Sequence, residues 1–193
     1  VALLVVEANS PITHQDQALA ALIAESRAGG IIVVNKWDLA ASGRTPPAKN
    51  IAAHYQAHLP AMAWAPVATV SAATGQNTAN ILDLTLRIEQ RRQRQIPAAA
   101  LQQLVAYAAR RQRPRGAGIG TAGQPGAERP RLHRLEQTDT NPPRFTLWVG
   151  PRQSLHATYQ RFLGRLLVEK FDLAGANAKL YVKQLRPADR RAR

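Results

Sequence analysis

The chain of 193 residues is long enough for one large domain or two small ones, and it contains no cysteine, which excludes disulfide frameworks and thiolate metal sites. Its formal net charge of +14 is unevenly distributed. Residues 1–86 contain four Lys or Arg and five Asp or Glu, a net charge of −1, whereas residues 87–193 contain 22 and 7, a net charge of +15.

The arginine-rich second half indicates a class of partner. The planar guanidinium group suits phosphate, so nucleic acid, with RNA foremost, is the partner expected for residues 87–193. A coding bias towards Arg and Ala is the alternative, although it should not spare residues 1–86. No stretch reaches the roughly 18 apolar residues of a membrane span, and no signal sequence opens the chain. We therefore expect a cytoplasmic protein without a membrane partner.

The first elements in chain order predict a β-α-β unit. Residues 1–6 are apolar without alternation, which predicts a central strand buried on both faces. Thr13 and Asp16 have the spacing of an N-cap and its N3 acid, and Gly29-Gly30 is typical of a helix end. The apolar positions of the intervening helix are Leu19, Leu22 and Ile23.

The stretch at residues 31–38 organises the first half of the chain. Its β-branched run predicts a doubly buried strand, and Asn35-Lys36-Trp37-Asp38 follows at the carboxyl end. Asn-Lys-x-Asp in this position is typical of the base-reading element of GTP-binding proteins. The Asp38 carboxylate can accept paired hydrogen bonds from guanine N1–H and the exocyclic amine, which adenine lacks. Asn35 can bond the N7 edge and tie neighbouring loops together, while the Lys36 stem can cover one ring face. The alternative is an ordinary polar turn in which Asp38 caps the next element.

A second motif supplies the other half of a base pocket. Residues 67–70 predict a short strand that leads into Ser71-Ala72-Ala73-Thr74-Gly75. This stretch resembles the serine–alanine loop of GTPases, whose backbone N–H, here that of Ala72, donates to guanine O6. The carboxyl ends of parallel strands form one edge, where ligands bind. We therefore predict a guanine-nucleotide site formed by Asn35, Lys36, Asp38, Ser71, Ala72 and Ala73.

The remaining elements of the first half complete a β-α-β-α-β-α order, which predicts an α/β fold with a doubly wound parallel sheet. Asn77 is the expected N-cap of the last helix. The apolar positions of the two helices are Ile51, Tyr55 and Leu59, then Ile81, Leu84 and Ile88.

Pro97 marks the predicted boundary between a first domain, residues 1–95, and a second, residues 96–193. The second half predicts a small α+β domain in α-β-β-α-β order, with a three-stranded sheet and helices on one face. Its predicted elements are a helix with Leu101, Leu104, Val105 and Ala108, a mobile Gly/Pro/Arg loop at 113–130, strands at 132–136 and 145–149, a helix with Leu155, Tyr159, Phe162, Leu163, Leu166 and Leu167 that closes near Gly175, a strand at 180–182, and a basic tail at 186–193.

Two other patterns carry no site. Residues 118–123 match the dinucleotide motif G-x-G-x-x-G, but flanking prolines exclude the strand and helix that this motif needs. They also include the G-x-x-G of RNA-binding KH clamps, but such a clamp lies between two helices, whereas this stretch lies in a linker ahead of the first predicted strand of the second half. His54 and His58 lie one helical turn apart without a third ligand, so we predict no metal site.

Together the motifs resemble the Der (EngA) family of double GTPases, bacterial ribosome-assembly factors. The resemblance implies a partial P-loop-NTPase-type sheet followed by a KH-like domain. It also implies GTP hydrolase activity, binding of GTP or GDP, and contact with the large ribosomal subunit and its rRNA, without DNA specificity. The matching segments are residues 3–8, 12–16, 33–39, 71–75, 141–149 and 159–163.

The chain also departs from the family pattern. Glu7 stands where the family usually has Asp, and Pro11 stands where it has Gly. The phosphate loop G-x-x-x-x-G-K-[ST] does not occur in the 193 residues. We therefore expect no catalytic residue or Mg²⁺ ligand here, nucleotide contacts to the guanine base only, and a chain that forms the C-terminal portion of a longer protein. The alternative is a non-catalytic rRNA-binding module on a degenerate GTPase scaffold.

Overall fold

The computed structural model describes residues 1–42, 50–114 and 130–185, without the side chains of residues 41 and 42. Residues 118–123, most of the loop predicted at 113–130, and the predicted basic tail lie outside the described residues. The chain forms two compact units: Val1–Arg94 with Leu173–Asn177, and Gln95–Asp172 with Ala178–Arg193. Within the described ranges, no helix has the length and apolar character needed to cross a membrane.

The first unit is built on a parallel sheet in the order β1-β2-β3. The register pairs Val5 with Val33 and Glu7 with Asn35, and β3 continues the alignment on the other side of β2. The carboxyl ends of the strands therefore share one edge, as predicted. The strands are β1 (Ala2–Glu7), β2 (Gly30–Asn35) and β3 (Val67–Thr69).

Helices cover both faces of this sheet, which confirms the doubly wound α/β fold. Alternate residues of β2 enter separate cores: Ile32 packs with the first two helices, and Ile31 with Ile88 of the third. The prediction that β2 is buried on both faces is confirmed. The helices are α1 (His14–Glu25), α2 (Ile51–His58) and α3 (Thr78–Gln93), and short 3₁₀ helices span Trp37–Ser42 and Pro60–Met62.

β1 differs from its prediction as a central strand buried on both faces. Leu4 and Val6 are buried, but Leu3 is 45% exposed and Val5 54% exposed. The core under α3 contains Ile31 and Val33 of the neighbouring strand but no residue of β1. An apolar run without polar alternation therefore did not reveal which of its faces would be covered.

The start of α1 is confirmed and its end is corrected. The Asp16 N–H donates to Thr13 Oγ1 at 3.2 Å, and the Thr13 N–H donates to Asp16 Oδ2 at 2.8 Å, which completes a capping box. The helix ends at Glu25, and Gly30 is already the first residue of β2. A side chain at Gly30 would meet Met62 and Trp64 within 3 Å, so close packing, and not helix termination, requires that glycine.

In the first unit, the helix positions predicted to be apolar contacts are buried or half-buried, except in α1. Leu19 and Leu22 are exposed, and Ala20 instead is fully buried. Asn77 precedes α3 as predicted, but its side chain makes no capping bond and donates to the Thr69 carbonyl at 3.1 Å.

The second unit has the predicted α-β-β-α-β order. Its sheet runs β4-β5-β6, with β4 and β5 antiparallel and β5 and β6 parallel. Leu135, Phe145 and Leu147 are fully buried on one face, and the predicted apolar positions of both helices are buried too, apart from the half-buried Phe162. The elements are α4 (Ala98–Arg111), β4 (Leu132–Asp139), β5 (Arg144–Val149), α5 (Ala157–Lys170) and β6 (Lys179–Gln184).

The segment Leu173–Asn177, between α5 and β6, clusters with the first unit although the sequence placed all of 96–193 in the second domain. The Gly30 N–H donates to the Gly175 carbonyl at 2.9 Å, and the Gly175 N–H donates to the Trp64 carbonyl at 3.0 Å. Asn177 Nδ2 donates to the carbonyls of Ala24 and Ala28. Gly175 therefore contributes to the first unit and does not close α5, which ends at Lys170.

Candidate functional site

The candidate site lies where the chain leaves β2 and β3. The Val70 N–H donates to the Val34 carbonyl at 2.9 Å, and the Trp37 N–H donates to the Val70 carbonyl at 3.0 Å. The main chain therefore remains paired one residue beyond the end of β3 and two residues beyond the end of β2. This pairing brings the Asn35-Lys36-Trp37-Asp38 segment and the 71–75 loop to the same edge of the sheet.

Asn35 joins the two segments directly. Its Oδ1 accepts a hydrogen bond from the Ala72 N–H at 3.0 Å. The predicted ability of Asn35 to tie neighbouring loops together is realised in this bond. The Nδ2 donors of Asn35 have no partner among the described residues and so remain free for an acceptor such as a purine N7.

Ala72 and Ser71 differ in what they offer to a ligand. The Ala72 N–H, the predicted donor to guanine O6, is already engaged by Asn35, so a base oxygen would have to share or replace that bond. Ser71 is fully buried, and its Oγ accepts from the Thr74 N–H at 3.2 Å. Ser71 therefore shapes the loop from within, while Ala72 and Ala73 lie exposed on it.

Lys36 pairs with Glu7, a position at which the chain departs from the family pattern and for which the sequence predicted no role. The Lys36 ammonium lies 2.5 Å from Glu7 Oε1, and Ser10 Oγ donates to Glu7 Oε2 at 3.0 Å. The hydrogen bond from Lys36, followed by that from Ser10, holds the pKa of Glu7 below its usual value. The register of β1 places Glu7 beside Asn35, next to Lys36. Aligning the predicted ends of the first two strands would therefore have revealed this pair.

Asp38 occupies the first turn of the 3₁₀ helix Trp37–Ser42 and is exposed. Its carboxylate makes no hydrogen bond or ion pair with any residue in the described part of the chain, so the alternative role as a helix cap is not realised. The preceding Trp37 packs against the core, which anchors the segment. A free carboxylate with both oxygens available fits a ligand edge that carries two adjacent N–H donors.

The His, Asp and Glu side chains of the described residues are dispersed. Over residues 1–42, 50–114 and 130–185, no group of three or more His, Asp or Glu side chains is placed to hold a metal. His58 Nδ1 lies 2.8 Å from the His54 carbonyl of its own helix. Burial, and then the charge of His58, lowers the pKa of His54. Among the described residues, the pair has no third ligand to complete a metal site.

Sequence comparisons cover both halves of the chain. Residues 95–183 match the family described as the KH-domain-like region of EngA bacterial GTPase enzymes, C-terminal. The protein named GTPase Der from Thermomicrobium roseum is 33% identical over 195 residues, which cover 95% of this chain and 38% of that protein.

Two other curated relatives show a similar identity and coverage. GTPase Der from Lactobacillus helveticus is 33% identical over 180 residues, covering 93% of this chain and 39% of that protein. GTPase Der from Nitratiruptor is 31% identical over 176 residues, covering 91% and 35%. The chain thus spans less than two fifths of the length of these three curated relatives. The family match in the second half and the similarity along nearly the whole chain place this protein in the Der (EngA) family of GTPases, where it corresponds to the C-terminal portion.

Proposed function

We propose that this chain supplies the guanine-reading pocket and an RNA-contacting KH-like domain to a cytoplasmic GTPase that assists assembly of the large ribosomal subunit. The observation that supports nucleotide binding most directly is the hydrogen bond between Asn35 and the Ala72 N–H, because it joins the two motifs of the pocket. The name GTPase of the similar proteins agrees with it. The ribosomal partner follows from the resemblance to the family.

Each residue of the pocket has a distinct task in this proposal. Asp38 accepts the paired donors of guanine, and Asn35 Nδ2 donates to N7. The Ala72 N–H donates to O6 in a hydrogen bond that it shares with Asn35 Oδ1, and the stem of Lys36 lies over the ring while Glu7 holds its ammonium. Hydrolysis requires a phosphate loop and Mg²⁺ ligands, and the 193 residues do not contain that loop motif. The chain therefore contributes base recognition and no catalytic residue.

The role of Asp38 is tested by replacing its hydrogen-bond acceptor with a hydrogen-bond donor. Asp38→Asn presents an amide N–H where guanine also has N–H groups, so the variant should prefer xanthosine, which has a carbonyl in place of the amine. A paired hydrogen-bond contact discriminates between bases by roughly 10- to 100-fold. Ligand-observed NMR of the chain with guanosine, xanthosine and adenosine measures the preference, because it detects weak binding.

The matched control is Asp83→Asn, which removes an exposed carboxylate of α3 instead. It should leave the preference for guanosine unchanged. If Asp38→Asn also keeps that preference, the assignment of Asp38 is wrong.

A non-catalytic rRNA-binding module is the second candidate function, and the net charge of +15 on residues 87–193 favours it. Under this alternative the first unit is only a scaffold. RNA affinity would then fall steeply with salt, since each neutralised phosphate releases counterions, while guanosine would give no NMR response. Specific binding of guanosine to the unaltered chain would exclude the alternative.

A further inference from the structure

One row of side chains on the second unit has a chemistry that the pocket does not explain. The β-sheet register aligns Arg134, Trp148 and Lys183 across the three strands, on the face opposite the buried Leu135, Phe145 and Leu147. We call these three residues the tryptophan row. Trp148 is partly buried, and the two flanking cations are exposed.

Both cations lie over the indole. The guanidinium carbon of Arg134 is 5.1 Å from the centroid of the Trp148 ring, and Lys183 Nζ is 5.9 Å from it. At such distances the ring quadrupole attracts each cation. Two flexible cationic side chains are thereby held in place before any ligand arrives, which lowers the entropic cost of binding.

Glu136 fixes the indole in turn. Trp148 Nε1 donates to Glu136 Oε2 at 2.9 Å, and the other oxygen, Oε1, lies 3.2 Å from Arg134 Nε. The carboxylate thus orients the ring and occupies only one nitrogen of Arg134. The two terminal nitrogens of that guanidinium and the ammonium of Lys183 have no hydrogen-bond acceptor among the described residues. They form a preordered pair of donor groups suited to phosphate oxygens.

Next to the row lies an exposed aromatic ring. The register places Tyr181 beside Thr146, one step along the same face, and Tyr181 is 47% exposed, with no ring-stacking or cation–π contact to its ring among the described residues. Unpaired bases stack on such rings, and every base offers the necessary face. Hydrogen-bond donors for phosphate beside a free aromatic ring match the alternating phosphates and bases of a single-stranded nucleic acid.

We propose that the open face of this sheet, through the tryptophan row and Tyr181, binds single-stranded RNA. Arg134 and Lys183 contact phosphates, and Tyr181 stacks against a base. This inference rests on the RNA-binding part of the proposed function and identifies the surface responsible. Lys179 adds a further positive charge on the same face, whereas Arg144 beside it is paired with Asp139, whose Oδ2 lies 3.8 Å from Arg144 Nε.

The experiment measures binding of a fluorescein-labelled oligouridylate of about 12 nucleotides to the full chain by anisotropy over a range of salt concentrations. The double variant Arg134→Ala/Lys183→Ala should weaken binding roughly tenfold and reduce the salt slope by about 0.7 for each phosphate that is no longer neutralised. Tyr181→Leu should also weaken binding roughly tenfold, whereas Tyr181→Phe, which keeps the ring, should not.

The matched control is Arg161→Ala/Arg165→Ala, which removes the same charge from exposed positions of α5. It should change the affinity by less than about threefold. If the control weakens binding as much as the test variant does, the open sheet face is not the binding surface. If the unaltered chain does not bind the oligonucleotide, the RNA-binding function itself is wrong. Circular dichroism melts of all variants identify any loss of affinity that comes from unfolding, and a variant that binds normally while folded overturns the role of its residue.

Discussion

Two adjacent residues at the end of β2 engage different neighbours. Asn35 accepts from the Ala72 N–H in the loop after β3, and Lys36 pairs with Glu7 at the end of β1. Lys36 has a φ of +59°, a backbone conformation that non-glycine residues seldom adopt, and this conformation accompanies the turn of its side chain towards Glu7. The two contacts join all three strands at the edge where the base is expected to bind.

At the residue scale, we predict that Lys36→Met raises the pKa of Glu7 towards its ordinary value. Because the pKa of Glu7 in the folded chain is depressed, the ion pair stabilises the fold above the unfolded-state pKa of about 4.5 and loses that effect as the pH falls through the folded-state pKa. NMR titration of the Glu7 carboxyl carbon measures the change. Lys170→Met is the control. An unchanged Glu7 pKa in Lys36→Met would contradict the role assigned to the pair.

At the scale of elements, β1 and β2 show how differently two apolar strands can be buried. Val5 and Val33 are direct neighbours in the register, yet Val5 is 54% exposed and Val33 is 4% exposed. The α3 helix covers Val33 through Ile88, and no described helix extends over Val5. Their contributions to stability should therefore differ although residue type and sheet face are the same.

We predict that Val33→Thr lowers the free energy of unfolding by about 1–3 kcal/mol, because it places a hydroxyl in an apolar core. Val5→Thr should change it by less than about 0.5 kcal/mol, as expected for a surface site. Urea denaturation of both variants measures the difference. Equal losses would show that β1 is covered in solution.

At the scale of the whole molecule, the first unit is not continuous in sequence. Gly175, from the second half of the chain, accepts from the Gly30 N–H and donates to the Trp64 carbonyl. Its φ is +81°, and a Cβ there would come within 2.6 Å of the Ile88 side chain. The position therefore requires glycine for both its backbone conformation and its close packing.

We predict that Gly175→Ala destabilises the first unit by roughly 1–3 kcal/mol and accelerates exchange of the Gly30 amide hydrogen. Gly164→Ala is the matched control, because Gly164 lies in α5 with nothing within 4 Å of the added methyl group. That change should stabilise α5 by up to about 1 kcal/mol. Hydrogen exchange and thermal unfolding measure both effects. A Gly30 amide that remains protected in Gly175→Ala would contradict this role.

The sequence by itself determined the order of the elements, the α1 capping box and the edge at which Asn35 and Ala72 meet. These features depend on short-range periodicity, on hydrogen bonds between residues three apart, and on the rule that parallel strands end together. The nucleotide-contacting roles of the site residues remain predictions from those motifs.

Only the tertiary structure decided which face of β1 is covered, that Glu7 holds Lys36, and that Leu173–Asn177 joins the first unit. Asn177 and Ala28 are hydrogen-bonded across 149 positions of sequence, and no local pattern encodes such a contact. Burial and long-range hydrogen bonds depend on which distant surfaces meet, whereas periodicity and capping depend on the nearest few residues.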